Sequence, residues 1–532
     1  MFKLRLAGTP DAEGWRFDGR RWWCGASWVE PFAHPAIEHV AFVARQPRRT
    51  VLIIREVATG QPRMTTYRQS VSSGGYQRML DQAEQWPLHA MRVEVTDGHP
   101  VRITCGPRGV APLYLCAAHG RLDASWDVLD LDPNPGDLDA REVAAYLAYR
   151  PRYSTATVFC GIHRLTERAT ASWTPTGGLA LTYPEPAPHS LPRVLRDDAD
   201  PVAAFTGLLR QEITARPLTA DQCAVELSGG MDSTMTALAT AEAVGPARTA
   251  ALLLGGSAGA QQARRRRQIS EHAGLGPDVT VPVEDCAPFR PGGRRATGRP
   301  WSPLDGTYAE AMSKLYARLR DAGVRWVLTG IGGDELCFQR PEERARSGDP
   351  WNLRPIPGHL GPQARRHLPH LTDDLAPASV LHASTVASVG VHSATAMRHG
   401  LWPISPLATP LILRFAESLP HTWRCNKHLM RRLLERAGYS AEVAHPPIPE
   451  NFTTTCENAM RHHGRPLLQS WLPDLLLAKS GLIDTEQLTT QCASVAATGQ
   501  HASELYRPLA LEASLRALTS AHPNRATSRT MA

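Results

Sequence analysis

The chain has 532 residues, 42% hydrophobic and 20% charged, with a formal net charge of +7. Such a composition builds hydrophobic cores and excludes a chain disordered throughout, and the length predicts about two to four domains. The charge does not point to nucleic acid. Only Lys3, Lys314, Lys427 and Lys479 among the 58 basic residues are lysine, a skew that reads as GC-rich codon usage, and the one dense basic run, Arg264–Arg267, reads as the solvated face of a helix.

The first third is expected to be β-rich. Val40–Val43, Thr50–Glu56, Met91–Val95, Val101–Thr104 and Leu113–Ala117 are short apolar or alternating runs, separated by turns such as Asp97-Gly98 and His119-Gly120. Asp139–Tyr149 predicts a helix with Asp139 as its N-cap. Tyr183–Pro192 carries proline at alternate positions and predicts a stiff linker near residues 183–200.

Beyond residue 200 strands and helices are expected to alternate. Strands are predicted at Cys223–Leu227, Thr249–Leu254, Val279–Val283 and Val324–Thr329, and helices at Ser233–Val244, Gln261–Ala273 and Gly306–Ala322. That alternation predicts a parallel sheet covered on both faces. From Pro377 onward only helices and loops are expected. The ten cysteines form no CxxC pair and no Cys/His ligand spacing, so reduced, mostly buried thiols are expected. No run reaches the ~18 apolar residues of a membrane span and the N-terminus has no signal-peptide pattern; the expectation is a soluble cytoplasmic protein.

Two loops carry the chemistry. Ser228-Gly229-Gly230-Met231-Asp232-Ser233-Thr234 follows a predicted strand and opens a predicted helix. Its glycines let backbone approach an anion, its amides can form a nest, and its hydroxyls add donors. It has no lysine, so it is not the GxxxxGK[ST] loop. Asp232 beside a polyphosphate calls for an intervening cation, and Mg²⁺ is the natural one. The second loop, Gly330-Ile331-Gly332-Gly333-Asp334-Glu335, follows the strand Val324–Thr329. In a parallel sheet both loops emerge at the carboxyl edge, where Asp232 and Asp334 could share one magnesium.

SGGMDST resembles the SGGxDS pyrophosphate loop of the ATP-pyrophosphatase families, and GIGGDE resembles the GxGxDE element of asparagine synthetase-like enzymes. This resemblance implies an α/β chain of two domains. Residues 1–190 would form a degenerate glutaminase-like αββα (Ntn-type) domain, and residues 191–532 an adenine-nucleotide α-hydrolase-like parallel-sheet synthetase domain with a helical C-terminal part. Glutamine-dependent members use a cysteine at the second position; Phe2 stands there, so glutaminase activity is not expected. Ile331 stands where β-lactam synthetases carry a catalytic tyrosine and asparagine synthetases an acid.

The chain most resembles the lasso-peptide cyclase branch. Gly161–Leu165 matches a loop common to the whole family, and Leu467-Leu468 through Leu472 to Gly481-Leu482-Ile483-Asp484 is similar to that branch's L…L…GLVD segment. The resemblance implies ATP-dependent adenylation of an Asp or Glu side chain in a core peptide, then attack by the peptide's N-terminal amine to close an isopeptide macrolactam. It implies ATP and Mg²⁺ as cofactors, a precursor peptide, a leader-binding protein and a leader peptidase as partners, and backbone contacts to nucleotide from Leu254, Thr329 and Gly330. The family's C-terminal lysine would fall near Pro449-Glu450-Asn451-Phe452, which has none. Lys427, Arg431 and His445 are the candidate replacements, with Lys427 preferred; the general base is unassigned. Other readings are an amide-forming enzyme acting on a small molecule, a tRNA-modifying enzyme sharing the SGGxDS loop, and a catalytically inert binding protein.

Overall fold

The computed structural model describes residues 1–64, 66–340, 342–344 and 355–521. Its first half stacks two seven-stranded sheets. One has Phe2–Ala7 at its centre, hydrogen-bonded to Ser27–Pro31 and Arg121–Ser125; the other is built on Ile37–Arg45, Arg48–Glu56 and Ala90–Thr96. Alternation explains the stacking. Leu4 and Leu6 of the first sheet share one core with Ala41, Leu52, Ile54 and Val93 of the second. The opposite face of the second sheet, with Val40, Phe42, Val51 and Ile53, is covered by Tyr76 and Ala83 of the helix Ser73–Glu84. Asp139 caps the helix Ala140–Leu147 as predicted, accepting from the Arg141 and Glu142 amides. Phe2 is fully buried in its strand.

The second half carries a five-stranded, wholly parallel sheet. Its order is Asp278–Pro282, Arg248–Leu253, Cys223–Glu226, Trp326–Leu328, Trp402–Ile404. Trp402–Ile404 corrects the expectation of helices and loops alone after Pro377. It is a three-residue edge strand with a proline at its centre, pairing Trp402 with Trp326 and Ile404 with Leu328, and an edge position is where a strand tolerates proline. On one face Ala224, Ala250 and Val327 meet the helices Ala309–Asp321 and Ala383–Arg398 through Ala311, Leu315 and Ala396. On the other, Val225 and Leu227 pack with Met235 of the helix Met231–Val244. The Leu468, Leu477, Leu482 and Ile483 side chains lie in a third core with Leu509 and Leu515 of the helix Tyr506–Ala521. Asp484 caps the helix Thr485–Thr498.

Residues 183–200 contain neither helix nor strand. They run along the second half: the Ala187 amide donates to Ala378 O, and the Arg193 amide to Ser418 O. The halves meet through buried and half-buried pairs. Arg216 lies 2.7 Å from Glu56, Arg108 2.8 Å from Glu212 and Arg398 2.6 Å from Asp127. His34 receives the Ala36 amide at Nδ1 and holds Arg325 O at Nε2, 3.0 Å in each case. No helix among the described residues is long and apolar enough to cross a membrane.

Candidate active site

The central strand Cys223–Glu226 runs into Leu227-Ser228-Gly229 and turns into a helix at Gly230. Gly229 has φ +89°, and a Cβ there would lie 3.3 Å from Glu450 Oε2 and 3.4 Å from Arg266 Cγ, so both backbone conformation and space require glycine. Hydroxyls stitch the loop: Ser228 Oγ lies 2.9 Å from Ser233 Oγ and receives the Gly230 amide, while Thr234 Oγ1 donates to Gly230 O at 2.7 Å. The helix Met231–Val244 has no side-chain cap. The amides of its first turn, at the positive end of the helix dipole, are therefore available to an anion.

The second loop lies directly against the start of this helix. A Cβ on Gly330 would fall 2.6 Å from the Ser233 nitrogen, and one on Gly333 would fall 2.2 Å from Asp232 Cγ. Thr329 ties the loop down: its amide donates to Ile404 O, its hydroxyl pairs with Ser405 Oγ at 2.9 Å, and its carbonyl accepts from Thr236 Oγ1. The late edge strand thus positions the acidic loop.

Asp232 and Asp334 converge on one cation. The Lys427 ammonium lies 2.6 and 2.7 Å from the two Asp232 oxygens and 2.7 Å from Asp334 Oδ1. Lys427 is the N-cap of the helix His428–Arg436, in left-handed backbone conformation (φ 55°), as is Asn426 before it (φ 51°). Burial raises the Asp232 carboxyl above its usual range; Lys427 pulls it back, and Asp334 and Glu335 push it up again. Burial also works against the Lys427 ammonium, but the two aspartates outweigh it and hold its pKa above the ordinary lysine value.

Two carboxylates already gathered around a positive charge form a donor set that suits Mg²⁺, which is bound through one or two carboxylates plus substrate phosphates. Of the other candidate cations, Arg431 donates to Asn426 O and contacts His445 Nδ1, and His445 Nε2 lies 3.2 Å from Glu435. Neither is brought to the loops.

The segment Pro449–Phe452 contributes a carboxylate. Glu450 sits against Gly229, held by Arg265 at 2.6 Å and Gln261 at 2.8 Å. This corrects the reading of Arg264–Arg267 as a solvated face. Arg265 and Arg266 are buried, and Arg266 donates to Leu227 O and to Asp278. The helix is Gly256–His272, and its Gln262 bridges the Leu254 amide to Ser228 O. Gln261 and Gln262 did not stand out in the sequence, and the arginine run did so only as a surface feature, although Gln262 and Arg266 sit four apart on one helix face.

Leu254 and Pro449 line a cavity of about 650 Å³ beside the first loop. Glu335, Phe338 and His382 line another of about 400 Å³ beside the second.

Residues 204–388 match the family model described as asparagine synthase. That span contains both loops and ends before Trp402–Ile404 and Lys427. The carboxyethyl-arginine beta-lactam-synthase of Streptomyces clavuligerus is 27% identical over 274 residues, covering 49% of this chain and 50% of that protein; the chain spans about half the length of this curated relative. Among solved structures, the glutamine phosphoribosylpyrophosphate amidotransferase of B. subtilis is matched over 62% of this chain and 82% of its own at 11% identity, with a TM-score of 0.20. An allosteric regulatory enzyme of purine biosynthesis is matched over 62% and 74% at 11% identity, with a TM-score of 0.19. Likenesses of that size carry no argument.

Proposed function

We propose that the chain is an ATP-dependent amide-forming synthetase that activates a carboxylate as its acyl adenylate and passes the acyl group to an amine. In the finer reading it is a lasso-peptide cyclase closing an isopeptide macrolactam between an Asp or Glu side chain and the N-terminal amine of a core peptide. The observation that carries the general reading is the convergence of Asp232 and Asp334 on one cation at the uncapped start of the helix Met231–Val244. The Ser228–Thr234 loop would hold pyrophosphate, and Leu254, Thr329 and Gly330 would border the nucleotide. Mg²⁺ on Asp232 and Asp334 would offset charge on the departing pyrophosphate. Lys427 is already placed to carry positive charge to the same oxygens. With Ile331 in the second loop, no tyrosine in that loop takes part. The N-terminal half, residues 1–190, then serves as a degenerate glutaminase-like shell, and residues 191–532 do the chemistry.

The cyclase reading rests on the motif resemblance, and its precursor peptide, leader-binding protein and leader peptidase belong to the proposal. Similarity to the beta-lactam-synthase supports a second reading, amide formation on a small molecule. Pyrophosphate release in the presence of ATP and Mg²⁺ tests the shared chemistry, with Asp232→Ala as the inactive control; no release with any carboxylic acid rejects it. Release with a peptide bearing a free N-terminus and an internal Asp or Glu, but not with free amino-acid derivatives, supports the cyclase, and the reverse supports the small-molecule enzyme.

A further inference from the structure

The strand that leads into the phosphate loop ends in a second polar group. Glu226, two residues on from Ala224 in the strand, lies on the same sheet face, where Ala224 packs with Leu315, Val327 and Ala396. A carboxylate there is costly unless partnered, and two donors meet one of its oxygens. The Tyr316 hydroxyl donates to Glu226 Oε1 at 2.6 Å, and His392 Nε2 lies 2.9 Å from the same atom. The Tyr316 and His392 rings meet edge-on at 5.8 Å. A carboxylate at Nε2 fixes the proton on that nitrogen, leaving Nδ1 of the neutral ring as the lone-pair nitrogen. Nδ1 makes no hydrogen bond among the described residues, and the His392 side chain is 22% exposed.

The placement is at the reaction edge. Val225 pairs with Leu328, so Glu226 is level with Thr329, where the acidic loop begins. His392 rides on the helix Ala383–Arg398, whose Ser384 hydroxyl donates to Glu335 Oε1 at 2.8 Å. Eight residues, about 12 Å of helix, therefore join the acidic loop to His392. The phosphate-binding helix Met231–Val244 packs on the opposite sheet face. At Ile331 the acidic loop itself offers no proton acceptor.

Resting on the proposed amide-forming reaction, we propose that His392 is its general base, positioned by Glu226, which Tyr316 holds in turn. The amine lone pair attacks the carbonyl carbon of the acyl adenylate, and the C–N bond forms. The C–O bond to AMP breaks and AMP leaves with the electron pair. The proton lost by nitrogen passes to His392 Nδ1 and then to solvent, and the imidazolium is paired with the Glu226 carboxylate. Burial lowers the His392 pKa, but the charge and hydrogen bond of Glu226 outweigh it and leave it above the ordinary histidine value. Glu226 and Tyr316 are the ionisable groups that contact it among the described residues. The base is therefore active only above that raised pKa.

The test uses the full chain and synthetic peptides with a free N-terminal glycine and one internal Asp or Glu, reading pyrophosphate and amide product separately in single turnovers. His392→Gln is expected to release pyrophosphate yet form amide about 100-fold more slowly or worse. Glu226→Gln is expected to move the acid limb of amide formation to lower pH, in step with the His392 pKa read by NMR of labelled histidine. Amide formation at the wild-type rate in His392→Gln overturns the assignment. So does an unmoved limb in Glu226→Gln, or a folded His392→Gln that releases no pyrophosphate. A wild type that releases no pyrophosphate with any of these peptides, but does so with a small acid, removes the peptide reading alone, and the same variants are then read with that acid. Release with neither overturns the proposed function and this assignment with it.

Discussion

Lys427 is one of four lysines in a chain whose other cations are arginines, and among the described cations it alone pairs with Asp232 and Asp334. A compact ammonium suits this spot better than a broad, planar guanidinium. Lys427→Ala is expected to abolish product formation in the coupled pyrophosphate assay, and Lys427→Arg to restore little of it. Gly333 is as demanding, because a Cβ would overlap Asp232. Gly333→Ala is expected to retain the fold by circular dichroism while losing about 100-fold in rate, the scale of a misplacement near 1 Å. At this scale the motif residues were legible, because glycine and carboxylate spacing reports local backbone directly. Glu450 was not. Its role comes from Arg265 and Gln261, some 185 residues earlier in the chain, and a lone glutamate carries no signal of such a partner.

Among the elements, the four predicted strands of the parallel sheet were readable from apolar runs between turns. The fifth, Trp402–Ile404, was not: it is short, contains Pro403, and gains its strand character from pairing with Trp326–Leu328. The basic helix Gly256–His272 was misread for a related reason. A run of four arginines looks uniform in sequence, but helical geometry turns Arg265 and Arg266 inward to Glu450, Leu227 O and Asp278 while the exposed Arg264 meets Glu442. Removing one member of a buried pair strands the other. Glu450→Ala is expected to cost about 3–5 kcal/mol in urea unfolding, and Arg265→Met with Glu450→Leu to recover much of that loss.

At the scale of the molecule, His34 reports on the junction of the halves. Burial pushes its pKa down to about 4, against the hydrogen bond to Arg325 O. In the unfolded chain the imidazole titrates near 6.5. Between those values the unfolded state binds the extra proton, so stability falls as pH drops from about 6.5 towards 4 and levels off below it. The difference in unfolding free energy between wild type and His34→Gln is expected to shrink over that window by an amount on the order of 3 kcal/mol. The proline-rich stretch without helix or strand was legible, but the surfaces that meet across it were not, because Glu56, Glu212 and Asp127 pair with arginines distant in the chain. Those pairs have a mechanical consequence. Leu191 and Val194 stand 76% and 99% exposed in a segment without helix or strand, where a protease can cut. Covalent continuity is not what keeps the two parts together, so a chain nicked there is expected to elute from gel filtration as one particle, separating only when denaturant dissolves the arginine–carboxylate seam.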